Sequence, residues 1–236
     1  MDQKPRGRLA GLSDFQKHHR FVFLFGGLLL LLVLAPMFEK TNSSREFLAA
    51  LTSLILFSGI YSSLKESRWL LFTMIFLGVF SFFTVWWEYA SWSIPVVLIH
   101  YLGLIVFFSL MIVTILREVS RATSVNANVV YGAVSVYLLL AFIWGLLFAI
   151  LFILDHESFR NLVVPVNSQF SIVPFWYLSF LTITTLGYND VAPASDLAQS
   201  LAMTEAVVGQ LYLVLQVSLL VGLRVTEVAA RRRQKD

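Results

Sequence analysis

FWYLSFLTITTLGYND, residues 175–190, is the stretch on which the reading of the whole chain turns. It overlaps an apolar segment of about 14 residues, 172–185, where crossing a bilayer takes roughly 20. Longer apolar segments flank it at 129–154 and 197–223. A short apolar segment between two spans is expected to enter the membrane and leave on the side it came from. Irregular backbone at that depth is tolerated only where protein buries it or where it lines a wet cavity. The stretch ends in Gly187-Tyr188-Asn189-Asp190, which is turn and loop chemistry rather than helix.

Four more segments upstream are long and apolar enough to be read as spans: 21–37, 47–64, 69–87 and 94–116. Together with the flanking pair they make six. Of the 236 residues, 58% are hydrophobic and 13% are charged, against about 25% charged in a soluble domain. Mean hydropathy is +0.79. This composition excludes an ordinary soluble domain and a disordered chain. The sequence has 0 Cys, which excludes disulfide frameworks, thiolate metal sites and thiol nucleophiles. The first segment is read as a retained span: its basic leader is long, and no small-x-small cleavage site precedes Pro36.

The basic residues set the orientation. Lys4, Arg6, Arg8, Lys17 and Arg20 precede the first segment. Lys65 and Arg68 lie between the second and third, and Arg117 and Arg121 between the fourth and fifth. Arg224, Arg231, Arg232, Arg233 and Lys235 follow the last. Only Lys40, Arg45 and Arg160 fall on the other face, so both termini are expected in the cytoplasm and the re-entrant segment outside. The net charge of +3 does not argue for nucleic acid, because it sits at the two ends and in short loops. Glu39, Glu46, Glu88, Asp155, Glu157, Asp190 and Asp196 fall on the outer face, where acids would concentrate cations. Trp69, Trp86, Trp87, Trp92 and Trp176 lie near segment ends, as interfacial anchors do.

The core of the re-entrant segment, Thr182-Ile-Thr-Thr185-Leu186-Gly187-Tyr188-Asn189-Asp190, resembles the filter of the potassium-channel pore family. That family has Thr-x-Thr-Thr-Val/Leu/Ile-Gly-Tyr-Gly-Asp. The resemblance extends over about 129–223 and includes Glu205-Ala-Val-Val-Gly209-Gln210-Leu-Tyr212, which is similar to the family's inner helix. It implies an all-α membrane protein of six transmembrane helices with a re-entrant pore helix and a filter loop, assembled as a homotetramer. Such a filter replaces the water shell of K⁺ with backbone carbonyls. K⁺ would bind at Thr185, Leu186, Gly187 and Tyr188, with Thr185 adding its hydroxyl and Gly187 a positive φ. The Tyr188 ring would pack outward on the pore helix, within an aromatic cuff from Trp176 and Tyr177. Thr184, Trp176, Tyr177, Asp190 and Glu205 would support the filter and its outer mouth. Gly209 stands where the family has its hinge glycine, and Pro193 would turn the chain toward the last span.

Asn189 departs from the family's glycine. Asn tolerates the left-handed backbone best among non-glycine residues, at about 1 kcal/mol per copy. Leu181 also departs, from an acid that ties the pore helix to the Asp after the filter. Asp190 therefore needs another partner, Tyr177 or Trp176. Of the polar residues within spans, Glu205 is costly in lipid and is read first as a bond to the pore helix. Gln210 and Gln216 are read as cavity-lining or interhelical, His100 as a satisfied interfacial histidine, and Gly26, Gly27 and Gly78 as packing glycines.

The organisation expected is a cytoplasmic tail (1–20), a four-helix array (21–127), a pore domain (128–224) and a basic cytoplasmic tail (225–236). A voltage sensor needs basic residues within the fourth span, and 94–116 has none. The leading function is a potassium-selective channel of the cell membrane, the inner membrane if the source is bacterial. It would work among membrane lipids, with no cofactor beyond permeant K⁺ and with gating input open to a separate regulatory subunit. The alternatives are a weakly selective cation channel, because of Asn189, and a non-conducting scaffold or sensor. Enzyme motifs such as His-Glu-x-x-His and Gly-x-Ser-x-Gly are missing, and no catalytic activity is expected.

Overall fold

A computed structural model describes residues 20–38, 44–62, 68–90, 93–122, 124–162, 170–188 and 190–233. Lys4, Arg6, Arg8, Lys17, Glu39, Lys40, Lys65, Trp92, Asn189 and Lys235 lie outside them. The helices are α1 (Arg20–Phe38), α2 (Ser44–Ser62), α3 (Arg68–Ala90), α4 (Ile94–Ser120), α5 (Ala127–Leu154), α6 (Val173–Ile183) and α7 (Asp196–Arg233). A 3₁₀ turn (His156–Ser158) leads into β1 (Phe159–Arg160), which pairs antiparallel with β2 (Ala192–Pro193).

All but α2 and α6 are long and apolar enough to cross a membrane. The 19-residue α2 spans about 28 Å at 1.5 Å per residue, near the roughly 30 Å hydrocarbon core. Serine, threonine and glycine dilute its apolar run. Local chemistry accounts for several helix ends. Asn126 caps α5, its side chain accepting from the Val129 N–H at 3.0 Å. Proline occupies the first turns of α4 and α6, where a missing N–H costs nothing. Pro36 lies inside α1, which ends two residues later.

Helix α7 runs without a break past residue 224 to Arg233, so the basic tail begins as helix. Its 38 residues reach about 57 Å. Hydropathy ended the span at 223, but Glu227, Ala229, Ala230 and Arg231 are good helix formers and carry it onward.

Packing follows chain order: α1 on α2, α2 on α3, α3 on α4, with α4 and α1 both closing on α5. Phe21, Leu28, Ile55, Met74, Phe107 and Met111 fill the space between them. A Cβ at Gly78 would come within 2.7 Å of Ile60, and one at Gly27 within 3.1 Å of Leu54, so both glycines permit close helix approach. Gly26 differs from its expected packing role: nothing lies within 4 Å of its Cβ position.

Arg20 also departs from its place in a cytoplasmic tail. It is the first residue of α1, and its guanidinium is buried. Nη1 donates to Ser62 O at the end of α2 (2.9 Å), and Nη2 pairs with Glu118 near the end of α4. The adjacent Phe21 N–H donates to Asn128 Oδ1 in the first turn of α5 (3.0 Å). One end of the array is thereby fastened to the start of α5.

Candidate functional site: a carbonyl loop at the end of a short helix

The 11-residue α6 has no charged residue and buries Phe175, Trp176, Leu178, Ser179, Leu181 and Ile183. It lies on α5 and α7. Phe142 of α5 meets Trp176 and Phe180 edge-on, each at 5.2 Å between centroids. Phe152, Phe159 and Phe170 surround Phe175. Such contacts fix the rotation of the helix about its own axis.

The last four carbonyls of a helix have no partner within it. In α6 each one finds a donor. Phe180 O accepts from Thr184 N–H (3.2 Å), Leu181 O from Leu186 N–H (2.9 Å), Thr182 O from Thr185 N–H (3.0 Å), and Ile183 O from the Tyr137 hydroxyl (2.9 Å). The bonds to Leu181 and Thr182 make a Schellman closure, in which the residue after the cap turns left-handed. That residue is Thr185, with φ +59°. Glycine is usual there. A β-branched residue of that hand costs about 1–2 kcal/mol. Strain of this kind collects at working sites.

Gly187 also has positive φ, +57°, whereas Leu186 between them does not. In an ordinary strand successive residues point to opposite sides. Reversing the hand at every second residue cancels that alternation and turns successive carbonyls the same way. The carbonyls of Thr184, Thr185, Leu186, Gly187 and Tyr188 accept no hydrogen bond among the described residues. All five residues are exposed. Left-handed backbone at Thr185 and Gly187 thus falls within a run of exposed carbonyls that have no partner among the described residues.

Past the loop, Tyr177 donates to Asp190 Oδ2 at 2.9 Å. That bond holds the phenol above its ordinary pKa, and the carboxylate's charge adds to the effect. Tyr177 is the partner that Asp190 finds. Trp176 instead packs on Gly145, its Nε1 buried with no partner among the described residues. The chain then returns through β2, where Phe159 pairs with Pro193 and Arg160 with Ala192. Ala194 N–H donates to Ser158 O at 2.7 Å, and Ser158 Oγ to Asp155 Oδ2 at 2.8 Å. Pro193 is thus a strand residue; the turn into α7 comes at Ser195, whose Oγ accepts from Ala198 N–H (3.2 Å).

Behind α6, Glu205 of α7 is fully buried. Its Oε1 accepts from the Ser179 hydroxyl, and Oε2 has no partner among the described residues. Gly209 is buried as well, against Ile183, whose side chain would collide with a Cβ there. The helix is continuous through Gly209, and the glycine lets it approach Ile183 closely. Gln210 is exposed, while Gln216 is half-buried with Oε1 unpartnered among the described residues. In the array, His100 is buried and shares a hydrogen bond of 2.9 Å with Thr84.

Tyr188 departs from the packing expected of it: 69% of its surface is exposed in the single chain. Ser179, Tyr137 and Ser158 escaped the sequence reading. The hydroxyls of Ser179 and Tyr137 act on residues far along the chain, and their only local signal was a hydroxyl in an otherwise apolar run. Ser158 binds Asp155 through its hydroxyl and Ala194 through its backbone oxygen.

Residues 130–223 match a protein-family model described as an ion channel. The match begins in α5, ends in α7 and leaves α1 to α4 unmatched. No curated protein and no solved structure matches the chain. The match and the apolar helices support an ion-channel domain within a multi-pass membrane protein.

Proposed function

We propose that the chain is a potassium-selective channel, with Thr185, Leu186, Gly187 and Tyr188 as its filter. The observation that carries this reading is the row of carbonyls at Thr184–Tyr188, unbonded among the described residues and set by alternating backbone hand at Thr185, Leu186 and Gly187. Asn189 continues the filter, and the alternation asks it for a third left-handed residue. The ion-channel match over the same stretch supports the assignment.

One chain offers carbonyls on a single side of an ion, so four copies about an axis complete the shell. The exposed Leu186 and Tyr188, and the apolar face of α7 bearing Val207, Leu211, Val214 and Val221, are the surfaces such copies would cover. Asp190, tied to Tyr177, and Asp196 would draw cations to the mouth. Both termini lie in the cytoplasm of this arrangement, residues 128–224 form the pore domain, and 21–127 form an array with no voltage-sensing charge. Arg20, buried at the start of α1 just before that array, is paired with Glu118. The protein conducts passively and makes no covalent intermediate.

The test is a reversal potential. Purified protein in a planar bilayer separates K⁺ from Na⁺. A strongly K⁺-directed potential is the expected result, and Asn189→Gly keeps or sharpens it. Clear current reversing near zero would replace the proposal with the weakly selective channel. Absence of current under every gradient would favour the scaffold.

A further inference from the structure

One face of α5 forms a ladder behind the carbonyl loop. Ala133, Tyr137, Ala141 and Gly145 lie four residues apart and so share a side of the helix. Each rung meets a different part of the pore. Tyr212 donates to Ala133 O at 2.6 Å and Tyr137 to Ile183 O at 2.9 Å. Ser179 Oγ lies 2.6 Å from Ala141 O, and Trp176 packs on Gly145. Helix α7 presents a matching stripe of Glu205, Gly209 and Tyr212. Ser179 is where the two stripes cross. Its single hydroxyl hydrogen has two acceptors in reach, Ala141 O on α5 and Glu205 Oε1 on α7, and both Ser179 and Glu205 are fully buried.

We propose that Ser179 and Glu205 are positioning residues through which α7 sets the geometry of the filter, so that displacing α7 changes ion binding at Thr185–Tyr188. The proposal rests on the potassium-filter reading above. Helix α6 is held from α7 at two points, Ser179 and Ile183, and Ile183 lies two residues before the strained Thr185. A rigid helix of this length passes a shift at Ser179 straight to its capped end. Apolar side chains can slide past one another, whereas a buried hydrogen bond with no water to replace it is either made or broken. An acid is an expensive choice within an apolar span, where leucine would pack as well.

The experiment is calorimetric titration of K⁺ into the purified full chain, with Na⁺ as the background cation. It reads filter affinity without needing an open gate. Ser179→Ala and Glu205→Leu are each expected to weaken K⁺ binding about tenfold, the effect of losing one hydrogen bond. The double variant should lose no more than the worse single one. Glu205→Gln can accept from and donate to the Ser179 hydroxyl, and should stay within about twofold of the parent. A purely structural role would lower the unfolding temperature and leave the affinity of folded protein unchanged. Parent-like affinity in both Ser179→Ala and Glu205→Leu, or fully additive losses in the double, would overturn the brace and spare the filter. If Ser179→Ala does not fold, equal weakening by Gln and Leu at 205 overturns it. Lack of K⁺ preference in the parent chain would overturn the filter reading, and the brace with it.

Discussion

The array and the pore module bury polar side chains in different ways. In α2, α3 and α4, hydroxyls mostly turn back on their own helix: Ser53 to Ala49 O, Ser62 to Gly59 O, Thr73 to Trp69 O and Thr114 to Leu110 O. These bonds satisfy the hydroxyl but do not join helices. The array's helices meet mainly through glycines and apolar side chains, with Arg20 and the Thr84–His100 pair as directional contacts. Over residues 128–224, Ser135, Thr182, Thr184 and Thr204 turn back in the same way, but the hydroxyls of Ser179, Tyr137 and Tyr212 also reach carbonyls on other helices, 38 to 79 residues away. Shape dominates in the first region, and in the second bond direction adds to it. Shape tolerates small sliding, but a carbonyl loop that matches an ion, as proposed, would tolerate very little.

Four substitutions test this contrast. The largest effect is expected at Gly187. Nothing lies within 4 Å of its Cβ position, so Gly187→Ala tests backbone hand alone. The added methyl disfavours that hand by about 1–2 kcal/mol per copy. K⁺ flux from loaded liposomes should fall at least about tenfold, and unchanged flux would remove Gly187 from the filter. Gly209→Ala comes next. The new methyl meets the Ile183 side chain and should cost about 1–3 kcal/mol of stability, read by unfolding in detergent. A neutral result would mean that α7 can leave α6 freely. Tyr137→Phe strips the donor from Ile183 O and should cost about 1–2 kcal/mol in the same assay. Thr84→Val removes a cross-helix bond in the array and should cost about 0.6 kcal/mol, the usual worth of such a bond between membrane helices. If Thr84→Val cost more than Tyr137→Phe, the division between the two regions would fail.

Legibility in the sequence followed the same division. Apolar length alone located the helices, because a span must satisfy its backbone internally and cover itself with apolar side chains. The short α6 was legible for the complementary reason, being apolar yet too short. The left-handed backbone at Gly187 could be expected from residue type. The one at Thr185 could not, since no local preference puts a β-branched residue there; closure of the helix end imposes it. Arg20 counted as a tail charge because burial against Glu118 depends on a residue 98 positions away. Tyr188 was expected on the pore helix, but it is exposed in the single chain, and residue type alone did not foretell that.

The closure at Thr185 bears on how such a protein is built. Its bonds, from Thr185 and Leu186 back to Thr182 and Leu181, are short-range and lie within one chain. That end of the loop can therefore take shape as soon as α6 forms, before any second copy of the proposed tetramer arrives. Assembly would then bring together parts already curved, and oligomerisation need not supply the energy to bend them.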